Sequence, residues 1–187
     1  RIMTKVLFLI HDLGQGGAEK VLVNLVNSMD PKKFDITVLA LFGGGVNEQF
    51  LKDHVRFRAV FPRAFPGNSH VMKLFSPKLL HRWFIRERYD IEVSYLEGPC
   101  ARIVSGCETP GTKLVSWMHC TMHDPREAAL GFRNIREAAA GYGRMDVLAF
   151  VSASVRDAFL KNCPYPGRCE ILYNTNDSHR IAALSGE

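Results

Sequence analysis

The chain has 187 residues, which is the usual size of one domain, or two at most, and is long enough to bury a hydrophobic core unaided. Hydrophobic residues make up 47% of it and charged residues 23%, which excludes an intrinsically disordered chain. A transmembrane helix needs about 18 or more consecutive apolar residues, and no segment approaches that length. The first apolar run, residues 6–10, is too short for the apolar core of a signal peptide, so we expect a buried strand there.

The cysteine count indicates the redox compartment of the protein, and the net charge indicates which classes of ligand it could bind. Five cysteines, an odd number without regular spacing, do not form a disulfide framework, so we expect a reducing, cytoplasmic location. Lysine and arginine together number 24 against 19 aspartates and glutamates, a net charge of +5. This mild excess fits a phosphate-bearing ligand or an anionic membrane surface. Because the basic residues are spread along the chain without a helix-turn-helix or an aromatic–basic platform, we expect no nucleic-acid partner.

Short apolar runs alternate with longer segments of helical periodicity. Strands are predicted at residues 6–10, 36–42, 55–61, 91–96, 114–117, 147–151 and 171–173, of which 55–61 is the weakest candidate. Helices are predicted at residues 18–29, 47–53, 72–88, 100–106, 125–140 and 152–160. The strands are continuous apolar runs, as expected for a parallel sheet covered on both faces. The alternation is typical of a doubly wound parallel sheet, so the sequence predicts a Rossmann-like α/β fold.

A glycine-rich loop, residues 11–19, follows the first predicted strand. Ligands of such sheets bind beyond the carboxyl ends of the strands. Gly16 and Gly17 would let a ligand approach the backbone, and the free N–H groups of the next helix favour an anion such as a diphosphate. The alternative is a glycine turn that binds nothing. The third glycine position of the dinucleotide fingerprint holds Glu19, and no Walker loop is present, so NAD and ATP are disfavoured.

A histidine lies just beyond the strand predicted at residues 114–117. His119 could hydrogen-bond a substrate hydroxyl or carry a proton there, and the alternative is a purely structural histidine. His123 is a weaker candidate, because it and Asp124 could serve only to cap the next helix. Cys120 is disfavoured as a nucleophile paired with His119, because adjacent strand residues point to opposite faces. The remaining cysteines lack paired spacing, so we expect no metal site.

Two further features have alternative interpretations. Glu97, at the end of the strand predicted at residues 91–96, could hydrogen-bond sugar hydroxyls or could simply face solvent. The segment from His70 to Tyr89 is basic and amphipathic and contains Trp83, so it could lie on an anionic membrane surface. The alternative, which we favour, is a surface helix that packs its apolar face on the sheet.

The order of these motifs resembles a known family. The carrying segments are the strand at residues 5–10, GGAE at 16–19, WMH at 117–119, FVSASVR at 150–156 and ILYNTND at 171–177. In this order they resemble the amino-terminal domain of the GT-B glycosyltransferases of family 4, and they span nearly the whole chain. The resemblance implies that residues 1–177 form a Rossmann-like domain on the acceptor side. Residues 178–187 would then begin the linker to a second, donor-binding domain that is absent from the chain.

The resemblance also implies an activity. It implies retaining transfer of a sugar from a nucleotide-diphosphate donor, a UDP-sugar for preference, to a glycan or lipid-linked acceptor hydroxyl, without a cofactor or an essential metal. The acceptor would belong to cell-surface polysaccharide synthesis. The whole protein would be the enzyme and this domain alone would be inactive, in the cytoplasm or at the inner face of the membrane. The alternatives are a non-catalytic phosphate-binding α/β module and, less favoured, an NAD-dependent oxidoreductase.

The same resemblance assigns roles to residues. Gly16 and Gly17 would contact the donor phosphates, and His119 would be the catalytic residue beside the transferred sugar. Candidate contacts to the acceptor or the sugar are Glu97, His123 and Asn174.

Overall fold

The computed structural model describes residues 3–172, which form one all-parallel sheet of seven strands. The strands are β1 (Thr4–Ile10), β2 (Phe34–Phe42), β3 (Val55–Phe61), β4 (Ile91–Ser94), β5 (Lys113–Met118), β6 (Val147–Phe150) and β7 (Arg168–Ile171). Their order in the sheet is β3-β2-β1-β4-β5-β6-β7, so the direction of winding reverses between β1 and β4. This topology confirms the predicted Rossmann-like α/β fold.

Seven α-helices and a 3₁₀-helix connect the strands within the described residues. The helices are α1 (Gly17–Ser28), α2 (Asn68–Lys73), α3 (Pro77–Phe84), α4 (Pro99–Ser105), α5 (Pro125–Ala128), α6 (Ile135–Gly143) and α7 (Ala153–Asn162), and the 3₁₀-helix is Val46–Phe50. The first helix ends before Asp30 and Pro31, as predicted. Ser152 caps α7, since its hydroxyl accepts a hydrogen bond from the backbone N–H of Val155 at 3.2 Å.

The apolar runs of the strands supply a core on both faces of the sheet. On β1, Val6, Phe8 and Ile10 join the core cluster that packs against α1. Leu7 and Leu9 join the cluster on the opposite face, where α3, α4 and α6 pack. Successive strand residues point to opposite faces, so a strand covered on both sides is mostly apolar along its whole length. The continuous hydrophobic runs of the sequence follow from this burial.

The single helix predicted over residues 72–88 is wrong. The segment forms two helices, α2 and α3, that are separated by an extended Ser76 with ψ at 154°. Pro77 lacks an N–H group and disfavours a helical conformation at the preceding residue. The Ser76 hydroxyl accepts a hydrogen bond from the N–H of Leu79 at 3.2 Å and so begins α3. Contact of the segment with a membrane, the less favoured interpretation, stays a hypothesis, and the continuous basic helix on which it depends does not form.

The helix predicted over residues 125–140 is also divided. Gly131, with φ at +83°, breaks it between α5 and α6. Asn134 begins α6 by accepting a hydrogen bond from the N–H of Glu137 at 2.9 Å. Smaller differences concern two elements. The helix predicted at 47–53 is a 3₁₀-helix over Val46–Phe50, and the last strand begins at Arg168 rather than at residue 171.

A buried polar group lies at the amino end of β4. The Nε2 atom of His81 is 2.7 Å from Oε1 of Glu92, and the Cys107 thiol donates to the other carboxylate oxygen at 3.5 Å. Burial alone would lower the pKa of His81, but hydrogen bonds to Cys107 and Glu92, together with the Glu92 charge, outweigh it and raise that pKa to about 9. His81 is therefore a buried imidazolium at neutral pH.

Replacing His81 tests this pair. Because the folded pKa lies above the unfolded value of about 6.5, the stabilisation is complete below that pH and is lost as the pH rises through 9. We expect His81→Gln to lower the free energy of unfolding by about 3 kcal/mol at pH 6, because it leaves the Glu92 carboxylate buried without its partner. The difference from wild type should shrink toward pH 10. Urea unfolding across this range measures both effects, with the exposed His70→Gln as control; a constant difference at every pH would contradict the assignment.

Candidate functional site

The carboxyl edge of the sheet brings together the loops that follow β1, β4 and β5. These strands are neighbours, and the reversal of winding lies between β1 and β4. Ligands of doubly wound sheets bind in the crevice at this point. The loops contain the predicted site residues Gly16, Gly17, Glu97, His119 and His123. The remaining one, Asn174, lies outside the described residues.

The loop after β1 is held by hydrogen bonds at both of its ends. The Asp12 carboxylate accepts from the N–H of Gly14 at 2.8 Å and is 2.8 Å from Nδ1 of His11. The N–H of Asn47, in the 3₁₀-helix after β2, donates to the carbonyl of Leu13 at 2.9 Å, and its side chain donates to Gly14. The sequence did not single out Asn47, because its partners are backbone atoms more than 30 residues away.

Glycine is required where the β2 loop meets the β1 loop. A Cβ atom on Gly45 would lie 2.3 Å from the carbonyl carbon of Leu13, far inside contact distance. Any larger residue would therefore push the glycine-rich loop out of place. The close approach of Gly45 to Leu13 therefore fixes the position of the backbone that leads into α1.

Gly16 and Gly17 have different surroundings at the start of α1. Gly16 is the N-cap and supplies no side chain to cap the free N–H groups of the first turn. A Cβ on Gly16 would lie 2.1 Å from Oε2 of Glu19, whereas one on Gly17 would meet nothing within 4 Å. Gly17 thus faces open space, and Gly16 is covered by a flexible carboxylate. A diphosphate at Gly16 would require Glu19 to turn away.

Glu97 joins the ends of two central strands. Its side chain is buried, and its carboxylate oxygens accept hydrogen bonds from the backbone N–H groups of His119 and Cys120, both at 3.0 Å. Glu97 therefore does not face solvent. Its direct role is to hold the start of the loop after β5, and the predicted contact with a sugar stays a prediction.

The ring of His119 lies against two aromatic side chains. Its centroid is 4.7 Å from that of Tyr95 and 6.2 Å from that of Trp117. Burial lowers the pKa of His119, against the opposing effects of the Glu97 charge and of a hydrogen bond to the Tyr95 backbone. The imidazole is therefore neutral at physiological pH.

Three polar atoms of this aromatic group are buried without a partner in residues 3–172. They are Oη of Tyr95, Nε1 of Trp117 and Nε2 of His119. A buried polar atom that makes no hydrogen bond costs about 1–3 kcal/mol, so three of them together indicate a place for polar groups from outside the fold. The sequence did not indicate Tyr95 as a site residue. Its place in the site follows from its contact with Trp117, which lies on the neighbouring strand.

Cys120 and His123 contribute less. The Glu97 hydrogen bond, with burial and the Glu97 charge, raises the pKa of Cys120 to about 11, which keeps the thiol protonated and unsuited to nucleophilic attack. His123 is exposed, and its N–H donates to the Glu127 carboxylate at 2.8 Å. Asp124 accepts from the N–H of Glu127 at 2.8 Å and caps α5. His123 and Asp124 thus lie at the start of α5, as the alternative interpretation of a helix cap predicts.

Metal-ligand types come together elsewhere in the described chain. Ligand atoms of His81, Glu92 and Cys107 lie within 4.8 Å of one another. The group lies at the amino end of β4, at the sheet edge opposite His119, and its members already hydrogen-bond one another.

The family model for Glycosyltransferase Family 4 matches residues 15–180. The chain belongs to glycosyltransferase family 4. The match begins within the glycine-rich loop, at residue 15, and covers Gly16, Gly17 and the loops of Glu97 and His119. A search of curated proteins finds no match. No helix in the described part of this glycosyltransferase domain is long and apolar enough to cross a membrane.

A substitution at Glu97 tests its part in the glycosyltransferase site. We expect Glu97→Gln to lower the free energy of unfolding by about 1–3 kcal/mol, because an amide offers one acceptor oxygen to two backbone donors. It should also lower the pKa of His119 further, because the Glu97 charge favours the imidazolium. Urea unfolding and NMR titration of the imidazole measure the two effects. The exposed Glu108→Gln serves as control, and a rise in the His119 pKa in Glu97→Gln would contradict the account.

Proposed function

We propose that this domain is the acceptor-side half of a retaining glycosyltransferase. The enzyme would move a sugar from a nucleotide-diphosphate donor, such as a UDP-sugar, to a hydroxyl of a glycan or lipid-linked acceptor in cell-surface polysaccharide synthesis. The observation that carries the proposal is the unpartnered Nε2 of His119, on a loop held by Glu97, at the same sheet edge as the open first turn of α1.

The first turn of α1 supports a role in stabilising the leaving group. Negative charge develops on the diphosphate as the bond to the sugar breaks. The free N–H groups after Gly16 and the positive end of the helix dipole are fixed in place, so they stabilise that charge without reorganising. The open space at Gly17 gives a phosphate oxygen access to these groups.

The neutral state of His119 favours hydrogen bonding over proton donation. Since the ring is neutral and Nε2 has no protein partner in the described residues, Nε2 would bond a sugar hydroxyl once the loop shifts to expose this buried atom. Tyr95 and Trp117 pack against the ring and hold its plane. Glycosyl transfer passes through an oxocarbenium-like state that water must not reach, so a second domain closing over this edge would complete the site.

Gly17→Val tests the phosphate contact. The new side chain would stand in open space, so the fold should be retained, but it would block the approach of a phosphate to the first turn of α1. We expect the full gene product with this substitution to lose sugar transfer by about tenfold or more.

Gly143→Val is the matched control. Gly143 ends α6, and a Cβ there also meets nothing within 4 Å. Initial rates with nucleotide-sugar donors compare the two variants with wild type. If Gly17→Val transfers sugar at the same rate as Gly143→Val, the glycine-rich loop does not form part of the donor site.

A further inference from the structure

A pocket of about 400 Å³ lies between the end of α2 and the connection from α5 to α6. Three cationic residues line it, Lys73, Arg126 and Arg133, and we call it the cationic pocket. No acidic residue is among its lining residues. No local sequence pattern indicates this pocket, because its charges come from segments more than 50 residues apart.

Hydrogen bonds and one largely buried ion pair build the wall of the cationic pocket. Arg133 donates through Nε to the carbonyl of Lys73 at 2.7 Å, and its N–H donates to Glu137 at 2.8 Å. Glu137 also accepts from Nε of Arg102 at 2.9 Å, and Arg102 is 1% exposed. The Arg102 guanidinium donates in turn to the carbonyl of Met72 at 3.0 Å, so α2, α4 and α6 are held together.

Two of the three cations of the pocket, Lys73 and Arg126, lack a counter-charge of their own among the described residues. Arg133 shares Glu137 with Arg102. The Glu137 carboxylate is closer to Arg102, at 2.9 Å, than to Nε of Arg133, at 3.9 Å. Within residues 3–172, neither the Lys73 ammonium nor the Arg126 guanidinium makes an ion pair or a side-chain hydrogen bond. Three like charges around one concave space repel one another, and an anion in the pocket would relieve that repulsion.

The cationic pocket borders the glycosyltransferase site. A Cβ on Gly131 would lie 2.3 Å from the carbonyl carbon of Gly98, so the two backbones are in direct contact. Gly98 follows Glu97, which holds the loop of His119. Two exposed leucines accompany the pocket, and we call them the leucine rim: Leu130, 58% exposed, lines the pocket, and Leu74, 75% exposed, follows the lining residue Lys73.

We propose that the cationic pocket binds a phosphate group carried by the acceptor. This inference rests on the proposed function, and it adds that the acceptor is a phosphate ester or diphosphate rather than a neutral glycan. Arginine matches phosphate oxygens through paired N–H groups, and lysine adds a point charge. The phosphate could belong to a lipid, whose chain would lie on the leucine rim, or to a soluble sugar phosphate. Both present the same group to the pocket.

Calorimetric titration of the 187-residue chain tests the proposal. Geranyl diphosphate represents the lipid-borne phosphate, glucose 1-phosphate represents the soluble one, and geraniol and glucose are the neutral counterparts. We expect a phosphorylated probe to bind and its neutral counterpart not to bind. Arg126→Gln should weaken binding about tenfold, because it removes a charged hydrogen-bonding group from the pocket.

Arg136→Gln is the matched control, since Arg136 is exposed on α6 and does not line the pocket. The Arg126 side chain makes no hydrogen bond or ion pair within the described chain, so its variant should fold even if an Arg133 variant does not. Tighter binding of geranyl diphosphate would identify a lipid source, and tighter binding of glucose 1-phosphate a soluble one. Failure of both probes to bind, or equal affinities in the two variants, would overturn the proposal.

The phosphate subsite and the proposed transferase function can be tested independently of each other. If neither probe binds but the full gene product transfers sugar to a neutral acceptor, the phosphate subsite is wrong and the transferase assignment stands. If a probe binds through Arg126 but no sugar transfer occurs, the subsite stands as a phosphate site and the transferase assignment fails.

Discussion

The geometry of the site depends on one buried carboxylate. Glu97 lies at the end of β4 and holds two backbone N–H groups of the loop after β5, so the two central strands end in a fixed relation. Without this contact the loop would lose the anchor that sets His119 against Tyr95. The carboxylate satisfies two backbone N–H groups that would otherwise lack a partner at the start of this loop. The histidine can then stay neutral beside a negative charge because its ring is buried.

The edge of the sheet divides into regions of different charge and polarity. The first turn of α1 presents free N–H groups, the aromatic group of His119 presents unpartnered polar atoms, and the cationic pocket presents three positive charges. A sugar transferase must hold a diphosphate, a sugar and an acceptor at once. In the proposed function, the first turn of α1 would hold the diphosphate, the aromatic group of His119 the sugar and the cationic pocket the acceptor. The contact between Gly98 and Gly131 makes the aromatic group and the cationic pocket neighbours. The Arg102–Glu137 pair belongs to this scheme because it holds α2 and α6 on either side of the pocket.

Most of the sheet could be predicted from the sequence because burial on both faces leaves a continuous apolar run. The bounds predicted for β3, residues 55–61, agree with the structure. The helix breaks at Ser76 and Gly131 were missed because the apolar periodicity continues across both. A serine before a proline and a glycine inside a predicted helix are nevertheless ordinary signals of a break. Glu97 was found as a site residue, but its role depends on backbone donors 22 and 23 positions away, which no local pattern reveals. The cationic pocket depends in the same way on packing between distant segments.

The most direct test of the account is calorimetric titration of the full gene product with UDP-sugars, GDP-sugars and NAD. The account predicts that at least one nucleotide-diphosphate sugar binds and that NAD does not, because Glu19 occupies the third glycine position of the dinucleotide fingerprint. Binding of NAD without binding of any nucleotide sugar would contradict the transferase proposal and would favour an NAD-dependent oxidoreductase instead.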